Sequence, residues 1–308
     1  MDRRGFLTHV LRAAAAITAV PTLTQARAAT TELAVAPLAD GLSCISGGGG
    51  NVTLFNSPAG ALLVDGGSHE QAGQVLKAVR KLTGSARVHT LFNTHWHWDQ
   101  TGSNAALGKA GTRIIAHENT RLWLGTDVNS KWEQRMYPRL PVNARPTQTT
   151  YTTGQLDFGG EQINYGYLPQ AHTDGDLYVF FRKANVLVAG DVLAVGKYPI
   201  IDYCTGGWIG GMAAAVQTLT ELANADTKII PGTGPVQTRA DLLAELDMLN
   251  LMKQRLSKLL AQGMSAQDML DAAPTQDLNA RWGDPTLFIA NTWQGLVQRA
   301  RELGVSIV

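Results

Sequence analysis

The sequence predicts an α+β fold of two sheets with helices outside. Short apolar or β-branched runs bounded by Gly, Pro, Asp and Asn recur along the chain, as strands do, and segments with apolar residues at helical intervals fall between and after them. No fixed-period repeat, low-complexity tract or linker divides residues 29–308, so they are expected to form one domain.

The first 28 residues are set apart. Arg3-Arg4-Gly5-Phe6-Leu7 precedes an alanine-rich apolar run around Ala13 to Val20, and Ala26-Arg27-Ala28 offers a small-residue cleavage site. That order resembles a twin-arginine export signal, which predicts a periplasmic or secreted protein. Its removal takes away Arg3, Arg4, Arg12 and Arg27 against Asp2, moving the formal net charge from +1 to −2. A slightly acidic protein lacks the positive field that nucleic-acid or anionic-membrane binding requires. No later apolar run approaches the roughly 20 residues that span a bilayer. The expected partner is therefore a small-molecule substrate, with no nucleic acid and no membrane span. Only Cys44 and Cys204 are present, without the Cys-x-x-Cys spacing of zinc or thiol-redox motifs. In an exported chain the two are free to pair.

Residues 51–55 and 61–64 flank the turn Ser57-Pro58-Ala59-Gly60 and read as a hairpin running into Asp65-Gly66-Gly67. Ser68-x-x-Gln71 has capping-box spacing, and Val75, Leu76, Val79 and Leu82 follow at helical intervals. Residues 88–92 form the next strand. A helix near 103–110 and a strand at 113–116 come after it, whereas 118–141 mixes tryptophan, proline and arginine without a clear period. Residues 149–153, 162–168, 177–181 and 186–189 read as consecutive antiparallel strands. Residues 209–222 return to helical spacing, 228–230 make a short strand, 240–260 a long helix, and Ser265-x-x-Asp268 caps another. The last segment, 285–303, carries Leu287, Phe288, Trp293, Leu296 and Val297 as an amphipathic helix.

The chemistry gathers in Asn93-Thr94-His95-Trp96-His97-Trp98-Asp99-Gln100-Thr101-Gly102, directly after a strand. On an extended backbone, His95, His97 and Asp99 share a face and Trp96 and Trp98 pack behind them, an arrangement suited to a metal. Zinc takes about four ligands in tetrahedral array, so other segments must contribute. His172, Asp191 and Thr233 each lie in a loop beside a short apolar strand, and such loops converge on one rim of a sheet. A lone loop histidine is more often a packing residue, which is the reading for His9, His69, His89 and His117. Trp208, in the turn Gly206-Gly207-Trp208-Ile209-Gly210-Gly211, and Tyr198, in the loop after Asp191, are the candidates for a substrate-pocket wall.

His95-x-His97-x-Asp99, then His172, then Asp191 after a strand, with Gly66-Gly67 upstream, resemble the pattern of the metallo-β-lactamase superfamily. That pattern is His-x-His-x-Asp-His, a lone His, an Asp after a strand, and a His in a Pro-Gly-His-Gly turn. The resemblance runs from Asn51 to Gly234 and implies a four-layer αβ/βα sandwich with its site at the sandwich edge. It implies that His95, His97 and His172 hold a first zinc, while Asp99, Asp191 and the residues at 100 and 233 complete a second. Gln100 and Thr233 stand where the family has histidines, and an amide oxygen and a hydroxyl are poor replacements on zinc. One zinc is therefore expected on His95, His97 and His172, with Asp191 as fourth ligand or as a contact to the metal's water. A second ion is possible on Asp99 and Asp191, weakly assisted by Gln100 and Thr233.

Three neutral imidazoles leave a coordination position open on a dipositive ion, which lowers the pKa of its bound water toward about 7. Asp99 is the candidate catalytic residue, orienting that water and carrying its proton to the leaving group. The expected activity is zinc-dependent hydrolysis in which metal-bound hydroxide attacks an acyl-type bond: an amide or lactam, a lactone, an ester or a thioester. The alternative is a metal- or ligand-binding protein that kept the fold and lost the chemistry with the second site's imidazoles.

Overall fold

Alternating apolar side chains assemble the first sheet. In the computed structural model, which describes residues 32–85 and 87–304, the strands Ala34–Ala39 (β1), Leu42–Gly48 (β2), Gly50–Ser57 (β3) and Gly60–Val64 (β4) form an antiparallel meander. The export-signal reading of residues 1–28 lies outside the described residues. Ala72–Thr83 (α1) crosses over to Val88–Phe92 (β5), parallel to β4. Trp98–Thr101 (α2) and Asn104–Lys109 (α3) lead to Arg113–His117 (β6), parallel to β5. Glu118–Leu124 (α4) and a separate hairpin, Val128–Ser130 (β7) with Arg135–Tyr137 (β8), precede Gln148–Thr150 (β9), which completes the sheet beside β6.

Thr153–Phe158 (β10), Glu161–Leu168 (β11), Asp176–Phe181 (β12) and Val186–Gly190 (β13) then build a second sheet by successive antiparallel pairing. Ile209–Leu222 (α5) returns the chain so that Lys228–Pro231 (β14) pairs parallel to β13. Arg239–Leu260 (α6), Ala266–Asp271 (α7), Asn279–Trp282 (α8) and Thr286–Glu302 (α9) follow.

The two-residue period of a strand sorts the core into layers. Leu62, Val64, Phe92 and Ile115 of the first sheet meet Ile163, Val179, Phe181 and Val188 of the second. Their neighbours turn the other way: Leu63 and Leu91 pack on Val75 and Val79 of α1, and Leu187 joins Val216 and Leu219 of α5. Strands covered on both faces read as nearly unbroken apolar runs, which is why β4, β12 and β13 show no polar alternation. The result is the four-layer αβ/βα sandwich. None of the described helices is long and apolar enough to cross a membrane.

Two local expectations are corrected. Ser68 does not cap α1: the helix begins at Ala72 with Gln71 before it, and the Ser68 backbone N–H donates to Gly48 O instead. The run expected as one strand at 149–153 is split, its start belonging to β9 in the first sheet and its end opening β10 in the second. Cys44 sits buried on β2 and Cys204 lies in a turn near Asp202, and both are free thiols. The capping box at Ser265 and Asp268 does form.

α6 also reaches the loop that follows β13. Glu245, fully buried, accepts the backbone N–H of Ala194 at 3.0 Å and 3.3 Å on its two oxygens. Burial pushes this carboxyl well above its ordinary 4.5. The folded state then keeps the proton to higher pH than the unfolded chain does. Stability present below the ordinary value is accordingly lost as pH rises toward the folded one. Glu245→Gln keeps an acceptor for Ala194 and cannot ionise, so its Tm should gain on the parent's between pH 5 and 8. Thermal melts across that range check this, and a gap that does not change with pH counts against it.

Candidate metal centre

After Phe92 the chain bends rather than running on extended. His97 is the residue before α2, and Asp99 lies in that helix's first turn. This replaces the expected shared strand face. His95 and His97 nonetheless converge, with ring centroids 4.8 Å apart. The bend is anchored by Asp65, at the end of β4, which accepts the Thr94 backbone N–H and hydroxyl, each at 2.8 Å. α2 is able to turn back because Gly102 has no side chain: a Cβ there would stand 2.1 Å from the Ser68 carbonyl carbon.

The second sheet repeats the device. His172 follows β11, and the next residue, Thr173, donates its N–H and hydroxyl to Asp176 of β12 at 2.8 Å and 2.9 Å. Asp191 directly follows β13. The parallel pairing of β14 with β13 lays Gly232 against it, so closely that a Cβ at Gly232 would fall 1.7 Å from Asp191 Oδ1.

His95, His97, His172 and Asp191 thus form a cluster whose ligand atoms all lie within 4.8 Å of one another. The hydrogen bonds on the far side of each ring fix which nitrogen faces inward. His172 Nδ1 donates to Ile200 O at 2.8 Å, leaving Nε2 inward. His97 Nε2 donates to Asp202 Oδ2 at 3.1 Å, leaving Nδ1 inward. The Thr94 hydroxyl spends its proton on Asp65, so its oxygen accepts from His95 Nδ1 at 3.1 Å. His95 Nε2 is then buried without a hydrogen-bond partner, 3.7 Å from Asp191 Oδ2. His97 Nδ1 and His172 Nε2 face each other at 3.0 Å, a separation that two lone pairs tolerate only with a proton or a cation between them. Three inward imidazole nitrogens and a carboxylate fit a metal ion.

Charge effects agree at two of the three rings. Burial, then the neighbouring His172 and His97, hold the His95 imidazole well below its usual range, and burial with His97 lowers His172, so both offer lone pairs at neutral pH. Burial also works to lower His97, but Asp202 overrides it and the imidazole rises to about 9, so without a metal its Nδ1 carries the proton that lies toward His172, and a bound cation must displace it. Burial raises Asp202, yet the bond to His97 wins and its carboxyl stays below the usual value. Burial, then the Asp191 charge, lifts Asp99 to about 7.

Asp202 was not singled out in the sequence. It is fully buried and also takes the Trp132 indole N–H, the Cys204 N–H and the Thr205 hydroxyl. Its only sequence signal is a lone carboxylate after the apolar run Tyr198-Pro199-Ile200-Ile201.

Residues 45–247 match a family model described as the metallo-beta-lactamase superfamily. The chain belongs to that superfamily. Metallo-beta-lactamase IND-1 of Chryseobacterium indologenes is 23% identical over 163 residues, 53% of this chain, and the match spans 62% of that relative's length. A metallo-beta-lactamase structure from Pontibacter korlensis aligns with a TM-score of 0.57 at 18% identity, covering 71% of this chain and 99% of that one. One from Hirschia baltica gives 0.56 at 17% identity, covering 70% and 97%. At these identities the solved structures establish the shared fold.

Within this metallo-β-lactamase fold, Asp99, His172, Asp191 and Thr233 line one small pocket of about 80 Å³ together with Lys197. Gln100 is packed against Gly50, with Nε2 donating to Gly232 O at 3.3 Å and Oε1 lacking a hydrogen-bond partner. The two aromatic residues proposed as pocket walls belong elsewhere. Tyr198 stacks on Phe288 of α9 and donates its hydroxyl to Asn279, and Trp208 packs against the helical core with Arg299 over its ring. Aromatic residues beside glycine turns served the helix layer because α9 covers that side.

Two substitutions test the frame. Asp202→Ala removes the acceptor that orients His97 and should weaken metal binding about 10–100-fold. Gly232→Ala pushes Asp191 aside and should weaken it by a similar factor, at an overpacking cost of about 1–3 kcal/mol. Competition with a chromophoric chelator measures both, and parental affinity in either variant removes that residue from the account.

Proposed function

We propose that this protein is a zinc-dependent hydrolase of acyl-type bonds, with zinc held by His95, His97 and His172 and with Asp191 as the fourth ligand. The observation that carries the reading is His95 Nε2, buried and unpartnered beside the facing nitrogens of His97 and His172. Zinc, when bound, supplies a Lewis acid and an acidified water at neutral pH.

The chain's own groups supply the rest. Asp99 lines the same pocket as His172 and Asp191, and with its carboxyl lifted to about 7 it exchanges a proton near neutrality. It takes the proton of the attacking water and returns it to the leaving atom of the acyl group. Lys197 at the pocket wall offers an ammonium to an acidic group on the substrate. Asp202 and Thr94 hold His97 and His95 in the tautomers that face inward. The relatives named as metallo-β-lactamases make a lactam the first substrate to try, followed by lactones, esters and thioesters.

A second reading, a metal-binding protein without turnover, draws on Gln100, whose amide nitrogen is committed to Gly232 O. Protein purified without added zinc should carry about one zinc per chain. His97→Ala should lose the metal. Asp99→Asn should keep most of it while turnover falls about 10²–10⁴-fold. Metal analysis and a substrate panel read these outcomes; two zinc ions per chain overturn the single-ion assignment, and bound zinc with no turnover on any acyl substrate favours the second reading.

A further inference from the structure

A cavity of about 430 Å³ opens beside the metal-bearing loop, and no residue of the four-ligand cluster lines it. Its walls include Trp96, Trp98, Trp123, Leu124, Tyr137 and Leu140, drawn from the loop after β5, from α2, from α4 and from the β7–β8 hairpin with the residues after it.

Four polar side-chain atoms of these walls are already spent. Trp96 Nε1 donates to Thr205 Oγ1 at 3.1 Å, Trp123 Nε1 to Asp174 Oδ1 at 2.6 Å, and the Tyr137 hydroxyl to Glu133 Oε1 at 2.9 Å. Thr101, also on the wall, donates its hydroxyl to His97 O at 3.0 Å. What remains for an occupant is mainly ring surface and aliphatic carbon, with the Trp98 indole N–H, the His69 ring and the Thr126 hydroxyl among the few polar groups. Glu70 and Arg135, the two charged side chains in the lining, are of opposite sign. The Arg135 guanidinium already lies over the Trp98 and Tyr137 rings, at 4.8 Å and 4.7 Å. The two charges sum to zero, so the cavity's net field favours neither anion nor cation, and an ionic ligand would surrender hydration to mainly apolar walls.

Size narrows the class further. An apolar cavity of about 150 Å³ holds one benzene, so about 430 Å³ suits two or three rings. Offset and edge-to-face contacts with the surrounding rings favour an aromatic over an aliphatic occupant of that size. We propose that this cavity is a binding site for an uncharged two- or three-ring aromatic molecule, separate from the metal centre.

Titration with N-phenyl-1-naphthylamine, an uncharged aryl probe whose emission rises in apolar surroundings, tests the assignment on the full chain. Saturable binding of one probe per chain is expected, with the same Kd within twofold in zinc or in excess chelator. The sulfonated analogue 8-anilinonaphthalene-1-sulfonate should bind at least tenfold more weakly. Ala105→Trp fills the cavity from α3 and should weaken the probe at least tenfold. Trp123→Leu removes a wall and should weaken it severalfold, giving an independent reading if the bulkier variant does not fold. Absence of saturable binding, displacement of the probe by zinc, preference for the sulfonate, or parental affinity in a folded variant overturns the proposal.

Discussion

Three imidazole nitrogens and a carboxylate oxygen held within 4.8 Å form an arrangement that does not hold itself together. Buried polar nitrogens aimed at one point cost desolvation, and the rings would rotate away if nothing restrained them. The restraint comes from carboxylates one step behind. Asp202 grips His97 directly, Asp65 fixes His95 through Thr94, and Asp176 fixes the backbone beside His172 through Thr173. Each of these aspartates is buried and takes more than one hydrogen bond, so its orientation is determined as firmly as the ring it serves.

The sandwich explains why this machinery sits where it does. The central strands are apolar on both faces, which leaves strand ends as the places where histidines and carboxylates are accommodated. The two sheets are fastened along that edge. Leu177 N at the start of β12 donates to Thr94 O beside the first histidine, and Asn51 at the start of β3 donates its side-chain amide to Pro231 O and Gly234 O around β14. The site's walls therefore inherit their spacing from inter-sheet bonds rather than from any single loop.

What the sequence revealed follows the range of the interactions involved. β5, β12, β13, α5 and α9 were legible because burial on fixed faces writes a period into neighbouring residues. The four candidate ligands stood out through their spacing and their order beside strands. β1, with most of its residues exposed, left no such period. The division of residues 148–158 between two sheets depends on partners far along the chain. Asp202 meets His97 across 105 positions, a pairing that only the folded chain displays. Tyr198 and Trp208 looked like pocket walls because they are aromatic residues near Asp191, but proximity along the chain does not say which layer a ring will join.

His95 and His97 hang from the first sheet, whereas His172 and Asp191 hang from the second. An ion shared by all four would be a clasp between the two halves of the chain, closing loops such as the 75 positions from His97 to His172. Metal occupancy would then enter the folding equilibrium itself, adding about 2.7 kcal/mol when free metal stands a hundredfold above its dissociation constant. The amount of intact protein would then depend on how much metal its surroundings supply, whatever the substrate.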